Sequence, residues 1–321
     1  MEDVLASIST TLWADYWNHV IHFKIILLSI LMEAFPFLLL SVMVSALLNN
    51  FVSENTIGNL IPRSNLLSLF IACFLGIIFP VCGWGMILIV RRLILKGVPT
   101  ATAIAFMLAA PIVNPVVGVA TAFAFQGNTH LVLLRLGTAF GVAFSTGLLL
   151  NWFAKGRQLK SPSQLPHSQL YSSCQPVLSS SHFQHSLLHK GIDTIQDASH
   201  EFFEMGKYLL VGAMLGSLSQ ILVPREILLA MGQHSSLSIG IMMVFSFLIS
   251  VCSAADAFIA ASFTTSFTLG SLVAFMVFGP MMDLKNMLML LHTFRMKFVC
   301  CLMLMIVLLC SSAAYLINCF V

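Results

Sequence analysis

Eight long apolar stretches constrain the fold of this chain more strongly than any other feature of its sequence. They cover roughly residues 20–48, 65–90, 99–125, 131–153, 203–223, 237–263, 268–292 and 297–319. A helix that crosses a bilayer needs about 20 mostly apolar residues. Soluble domains carry roughly 25% charged residues, whereas only 8% of this chain is charged. The sequence therefore predicts an all-α polytopic membrane protein with about eight transmembrane helices.

A polar segment rich in Ser, Gln and His separates the fourth apolar stretch from the fifth. We interpret it as a linker, which divides the chain into a first transmembrane repeat at 1–153, a polar linker at 154–200 and a second transmembrane repeat at 201–321. Basic residues concentrate in this linker and in the loop at 91–96. Because basic loops stay in the cytoplasm, we predict a multi-pass membrane protein with a cytoplasmic linker and cytoplasmic termini.

The two halves share four blocks of similar sequence in the same order, at an offset of about 170 residues. The block LMEAFPFLLLSVMVSALL matches FFEMGKYLLVGAMLGSLS, which aligns Glu33 with Glu204. The block APIVN, ending at Asn114, matches GPMMD, ending at Asp283. Internal repeats are common in secondary transporters, whose substrate sites lie at the repeat interface beside broken helices. Both a parallel and an inverted repeat are compatible with the sequence.

The second apolar stretch contains a predicted helix break in the segment GIIFPVCGWGMIL. Pro80 removes a backbone donor there, and Gly83 and Gly85 are expected to loosen the helix around Cys82. Such breaks often line a cavity in membrane proteins, because neighbouring groups must satisfy the freed carbonyls. A simple packing kink is the alternative.

The third and seventh stretches each place a short polar side chain three residues after a proline. Asn114 follows Pro111, and Asp283 follows Pro280, while Pro115 adds a second predicted break in the first half. Unwound carbonyls and the ends of half-helices are suitable ion ligands. Alternatively, the two polar side chains only satisfy local backbone groups.

Acidic residues inside the apolar stretches are the strongest candidates for function. A carboxylate near the bilayer centre costs about 2.5–3.5 kcal/mol on insertion scales, so Asp256 in VCSAADAF is expected to face a pathway, a cation or a partner. A protonated structural Asp is the alternative. Lys285 lies two residues from Asp283. The two can meet only if the backbone is unwound there, because positions i and i+2 do not face each other on a helix.

The equivalent acids Glu33 and Glu204 lie near the predicted starts of the first and fifth spans. Each is followed by a residue that disrupts helices, Pro36 or Gly206. The pair is a candidate for proton coupling, and a role at helix ends in the interface is the alternative.

Other function classes find little support in the sequence. The linker histidines His182, His185 and His189 have no preorganised fourth ligand, so we predict no metal site and no cofactor. The phosphate-binding, nucleophile-elbow and HExxH motifs are absent. We therefore predict neither an enzyme nor an ATP-driven pump, and the small net charge of +3 suggests no nucleic-acid partner.

The blocks FPVC, RRLILKGVP and FMLAAPIVNP, together with CSAADAFIAASF and LVAFMVFGPMMDLKNMLML, resemble the bacterial predicted-permease family. This family includes organoarsenical efflux permeases, and the resemblance is greatest to an uncharacterised Bacillus-type branch. It implies a protein of the bacterial plasma membrane with about eight spans. For some relatives it also implies export of trivalent organoarsenicals, for which thiols are natural ligands. The family's first motif usually has a second Cys at the position of Trp84, and acidic residues are often found at those of Gly83 and Ala254. This chain therefore lacks a thiol pair within one loop.

These observations lead to two hypotheses. The first is a secondary transporter, an exporter of a small ion, metalloid or organic solute, in which Cys82 and Cys252 are soft ligands. Asp256, Asp283 and Asn114 would bind a cation or substrate, or relay a proton. The second is a non-transporting membrane scaffold or sensor that retains the permease fold. The expected partners are the lipid bilayer and a small solute or ion, and a homo-oligomer is compatible with the sequence.

Overall fold

A computed structural model of the chain describes residues 2–51, 65–78, 83–153, 187–222 and 235–320. These residues form helices joined by turns, and no strand is present among them. The prediction of an all-α protein is therefore confirmed for the part of the chain that the structure describes.

The helices are numbered in chain order. They are α1 (Glu2–Phe51), α2 (Asn65–Ile78), α3 (Gly83–Leu95), α4 (Thr100–Ala109), α5 (Pro115–Ala124), α6 (Thr129–Phe153), α7 (Leu187–Leu222), α8 (Ser235–Ile249), α9 (Ala255–Ala261), α10 (Leu269–Met281), α11 (Leu284–Thr293) and α12 (Met296–Phe320).

Four helical segments within the described residues are long and apolar enough to cross a membrane. They are Val20–Met43 of α1, Thr129–Trp152 of α6, Leu269–Thr293 across α10 and α11, and Met296–Phe320 of α12. A helix of 25 residues extends about 37 Å at 1.5 Å per residue, which exceeds the hydrocarbon core of about 30 Å. The protein is therefore a multi-pass membrane protein.

The second, third, sixth and seventh apolar stretches each contain two shorter helices instead of one continuous helix. In the third stretch α4 ends at Ala109 and Pro115 is the first residue of α5, so the break predicted at Pro111 is confirmed. In the seventh, Pro280 lies in the last turn of α10, and the helix ends one residue later at Met281. Pro80 lies outside the described residues, between α2 and α3.

The prediction that Gly83 and Gly85 loosen a helix is wrong for Gly85. Gly83 is the first residue of α3, and Gly85 lies within that helix. A Cβ atom at Gly85 would overlap the side chain of Ser41 on α1. The glycine therefore permits a close approach of two helices, as small residues commonly do in membranes.

Pro36 and Gly206 do not end helices, contrary to the prediction. Pro36 lies within α1, and Gly206 lies within α7. Glu33 and Glu204 consequently lie well inside long helices and not at helix ends. Helix α7 begins at Leu187, so it includes the last part of the segment that was interpreted as a linker at 154–200.

Helix α10 lies at the centre of the packing, and all of its residues from Gly270 to Met281 are buried. It contacts α8, α9 and α12, which follow residues 154–186 in the chain. It also contacts α4 and α6, which precede them. Helices α1 and α7 pack against each other. In addition, α5 contacts α9 and α3 contacts α11. The helices that follow the breaks therefore meet in pairs across the centre of the molecule.

Candidate functional site

The break between α4 and α5 is built around Asn114. This residue has an extended backbone, and its side-chain oxygen accepts a hydrogen bond from the N–H of Val116 at 2.9 Å. Pro115 follows as the first helical residue, where its missing N–H would have no intrahelical partner in any case. Asn114 is 7% exposed. Its observed contact is therefore that of a helix N-cap.

The break between α10 and α11 has the same construction in acidic form. Asp283 has an extended backbone, and its Oδ1 atom accepts a hydrogen bond from the N–H of Asn286 at 2.6 Å. Both predicted polar residues thus satisfy local backbone groups, as the structural alternative expected. Lys285 and Asn286 follow in the first turn of α11, and both side chains are buried. Asn114 therefore lies at the start of α5, and Asp283, Lys285 and Asn286 lie at the start of α11.

The break between α8 and α9 connects the two halves directly. Ser250, the residue after α8, has a positive φ of 56°, in the left-handed region that a serine rarely adopts. Ser253, three residues later, donates a hydrogen bond from its hydroxyl to the carbonyl of Pro111 at 2.7 Å. Since Pro111 lies in the break between α4 and α5, the breaks of the third and sixth stretches are in contact.

Asp256 lies in the first turn of the short helix α9 and is 2% exposed. Its Oδ2 atom has no hydrogen-bond partner among the described residues. A Cβ atom added at Gly279 would lie 3.4 Å from this oxygen, so the α10 backbone forms one wall beside the carboxylate. The acid predicted from the sixth apolar stretch is therefore enclosed by protein and keeps one carboxylate oxygen without a donor.

Charged residues of both signs surround the Asp256 carboxylate. Arg135 and Lys285 attract it, whereas Asp283 and Glu33 repel it. Glu33 is only half-buried, whereas Arg135, Asp283 and Lys285 are almost fully enclosed. Lys285 also attracts the Asp283 carboxylate.

Arg135 is the residue that sequence reasoning missed. Its side chain is fully buried on α6. One Nη1–H donates to the hydroxyl oxygen of Thr121 at 2.7 Å, and Nη2 donates to the carbonyls of Ser253 at 2.5 Å and Met276 at 3.2 Å. The Nε atom has no hydrogen-bond partner in the described part of the chain. Arg135 therefore links the first half to two elements of the second.

The hydroxyl group of Thr121 is oriented to accept a hydrogen bond from Arg135. The Thr121 hydroxyl donates its own hydrogen to the carbonyl of Val117 at 2.7 Å, which leaves its lone pairs for the guanidinium. A signal was present in the sequence, because an arginine inside the apolar stretch 131–153 is costly unless it has partners. Its two carbonyl partners, however, lie 118 and 141 residues further along the chain.

The remaining predicted site residues are placed as follows. Cys252 lies in the break between α8 and α9 and is half-buried. Cys82 lies outside the described residues, and so does the side chain of Glu204. Lys285 packs its stem against α7, since a Cβ at Gly212 would lie 2.8 Å from the Lys285 Cγ. Among the described residues, no group of three or more His, Cys, Asp or Glu side chains is arranged to hold a metal ion.

Comparison with known proteins identifies relatives over most of the chain. A family model described as "Predicted permease" matches residues 19–319. UPF0718 protein YcgR of Bacillus subtilis (strain 168) is 40% identical over 293 residues, which cover 91% of this chain and 96% of that protein. A protein of Streptococcus mutans named "Putative two-component membrane permease complex subunit" is 35% identical over 274 residues, covering 85% and 87% respectively. No solved structure matches the chain.

Proposed function

This chain belongs to the predicted-permease family, and from that membership we propose that it is a secondary transporter with its site at the interface of its two halves. The substrate is a small ion, metalloid or organic solute. The direction is export, as in the efflux permeases that the sequence resembles. The family and the names of the relatives support a membrane transporter and not an enzyme.

The observation that carries the proposal is the unpartnered Oδ2 atom of Asp256, which is buried where the broken helices meet. A buried carboxylate oxygen without a hydrogen-bond donor is unfavourable in a protein. A site that exchanges a proton or a small cation gives such an atom a transient partner, and intramembrane acids commonly serve transport pathways. A purely structural Asp would be expected to have both oxygens satisfied.

The order of the helices supports the proposal that the halves are repeats. On each side of residues 154–186, a long helix is followed by two broken pairs and then by a helix of 25 residues. Counting each broken pair as one span gives the eight spans expected from the sequence. Alternating access would then move one half against the other around the central breaks.

In this proposal the buried polar residues have distinct roles. Asp256 and Asp283 bind the proton or cation, while Lys285 and Asn114 set the charge and polarity beside them. Cys82 and Cys252 are candidate ligands for a soft metalloid, because thiolates prefer soft ions. Glu33 lies in electrostatic range of Asp256, which supports its role in proton coupling, and Glu204 is its equivalent in the second half.

Substitution of the buried acids tests this function. A deletion strain is first screened for altered sensitivity to metalloids, metals and small organic ions, and a plasmid copy must restore the parental phenotype. We expect Asp256→Asn and Asp283→Asn to abolish the rescue while the protein remains in the membrane at normal levels. Ser262→Ala is the matched control, because this exposed serine ends the same short helix as Asp256 and bonds only within its own turn.

Full rescue by both acid variants would contradict the proposal. That result would favour the alternative of a scaffold or sensor, since a protein that only binds partners does not require an exchangeable carboxylate. Cysteine labelling at position 256 gives a second measurement, because a transport pathway must open to water from at least one side during the cycle.

The relative from Streptococcus mutans is named as one subunit of a membrane permease complex. We extend the proposal to a second membrane subunit, or a second copy of this chain, as a partner in the plasma membrane. Cytoplasmic termini and a cytoplasmic linker belong to the same proposal. Cross-linking in intact membranes followed by mass spectrometry tests the partner, and recovery of only uncross-linked chains would refute it.

A further inference from the structure

We propose that Arg135 is a positioning residue that holds the two halves in contact by donating to a carbonyl that Pro280 leaves without its helical donor. The proposal rests on the function proposed above, since it names the residue that ties one half to the other. Nothing in the sequence comparison assigns this role.

The geometry of α10 explains why a carbonyl is available to Arg135. In an α-helix the N–H of each residue donates to the carbonyl four residues earlier. Pro280 lies within α10 and has no N–H, so the carbonyl of Met276 loses its regular donor. Arg135 Nη2 donates to that carbonyl at 3.2 Å. In lipid, a neighbouring helix must satisfy such a freed carbonyl, and here the donor comes from α6.

The same guanidinium nitrogen also holds the break before α9. Nη2 donates to the carbonyl of Ser253, and the Ser253 hydroxyl in turn donates to the carbonyl of Pro111. One side chain thus binds α10 and the α8–α9 break, and the latter binds the α4–α5 break. Relative motion of the halves has to break these contacts together.

The choice of arginine fits this role better than another donor does. A guanidinium presents five N–H groups in a rigid plane and stays charged when buried, so it can reach a hydroxyl and two carbonyls on three different elements. Asp256 attracts the same group. Asp256 lies in the same half as both carbonyls, so its attraction acts across the same contact between the halves.

Thiol labelling of Cys252 tests the inference without any substrate. Cys252 is half-buried next to Ser253, so its reaction with a maleimide reports opening of the break. In purified protein with Cys252 as the sole cysteine, we expect Arg135→Gln to raise the labelling rate about tenfold, the equivalent of one charge-assisted hydrogen bond. Arg135→Lys should restore part of the slow rate, and Arg92→Gln, which alters another buried arginine, should leave it unchanged.

The role of Pro280 gives a sharper test. In the Pro280→Ala background the new N–H can bond the Met276 carbonyl within the helix, so Arg135→Gln should then raise the rate only about twofold to threefold. Equal effects of Arg135→Gln in both backgrounds would refute the link to Pro280. If Arg135→Gln does not fold, Thr121→Val removes one acceptor from the guanidinium and should also speed labelling.

Unchanged labelling in Arg135→Gln and in Thr121→Val would overturn the inference. Its outcome is separable from that of the proposed function, because labelling requires no transport. If Asp256→Asn and Asp283→Asn both leave the rescue intact while Arg135→Gln still speeds labelling, the proposed function fails and the positioning role stands. The reverse pattern would leave the transporter and remove the role of Arg135.

Discussion

Gly279→Ala is the substitution whose effect follows most directly from the packing beside the candidate site. Gly279 is buried in α10, and a Cβ atom there would overlap the Oγ atom of Ser246 on α8. The Ser246 hydroxyl donates to the carbonyl of Phe275 at 2.7 Å. The added methyl group must therefore rotate Ser246 away from this bond or push α8 and α10 apart.

The expected cost can be worked from these two routes. Rotating Ser246 forfeits a hydrogen bond between helices, which averages about 0.6 kcal/mol in membrane proteins. Separating the helices is an overpacking change, which typically costs about 1–3 kcal/mol. The better helix propensity of alanine returns up to about 1 kcal/mol. We expect a net destabilisation of about 1–2 kcal/mol.

A double-mutant cycle separates the overlap from other effects. In the Ser246→Ala background the nearest remaining atom of residue 246 is its Cβ, which lies 3.5 Å from the new methyl group, an ordinary contact distance. Gly279→Ala should then be nearly neutral, so the cycle should show a coupling of about 1–2 kcal/mol.

The assay is the free energy of unfolding of the four proteins in mixed detergent micelles. Gly240→Ala on α8 is the control, because no atom lies within 4 Å of its added Cβ, and it should be neutral or slightly stabilising. If the costs of Gly279→Ala and Ser246→Ala add to within about 0.5 kcal/mol, the claimed contact between α8 and α10 is wrong.

Two further substitutions test the packing elsewhere. Gly85→Ala overlaps Ser41 and should cost about 1–3 kcal/mol in unfolding free energy; Ser41→Gly in the same chain should recover part of that cost, and no recovery would exclude the contact between α1 and α3. Asn318 accepts a hydrogen bond from the N–H of Gly270 at 2.8 Å and donates to Thr268 at 3.0 Å. Asn318→Ala should therefore cost about 1–2 kcal/mol, whereas Asn318→Asp, which keeps the acceptor, should cost less. Equal stability of Asn318→Ala and the parental protein would show that these bonds contribute little.

The sequence was most informative where a local rule determines the structure. A proline followed by a short polar residue predicts a helix end and a new N-cap, because proline removes a donor and Asn or Asp supplies an acceptor. Asn114 and Asp283 both have this role. The buried position of Asp256 followed in the same way, since an acid within an apolar stretch has to be enclosed.

The sequence was least informative where the outcome depends on a distant helix. Pro36 was expected to disturb α1, yet the helix continues through it, and Gly85 was expected to loosen a helix that it in fact packs closely against Ser41. Arg135 was overlooked because it lies near the start of a predicted span, where a basic residue is unremarkable. Only the fold brings Ser253 and Met276 to it.

The distance in sequence between Arg135 and its carbonyl partners has a consequence for biogenesis. Ser253 is synthesised 118 residues after Arg135, so α6 enters the membrane before either carbonyl exists. An arginine within a membrane helix is unfavourable unless it has partners. Until the second half is inserted, the nascent first half therefore carries a charge that only Thr121 can solvate among its partners. The second half therefore supplies hydrogen-bond partners that the first half needs. We expect a chain arrested after residue 153 to remain a substrate for membrane quality control.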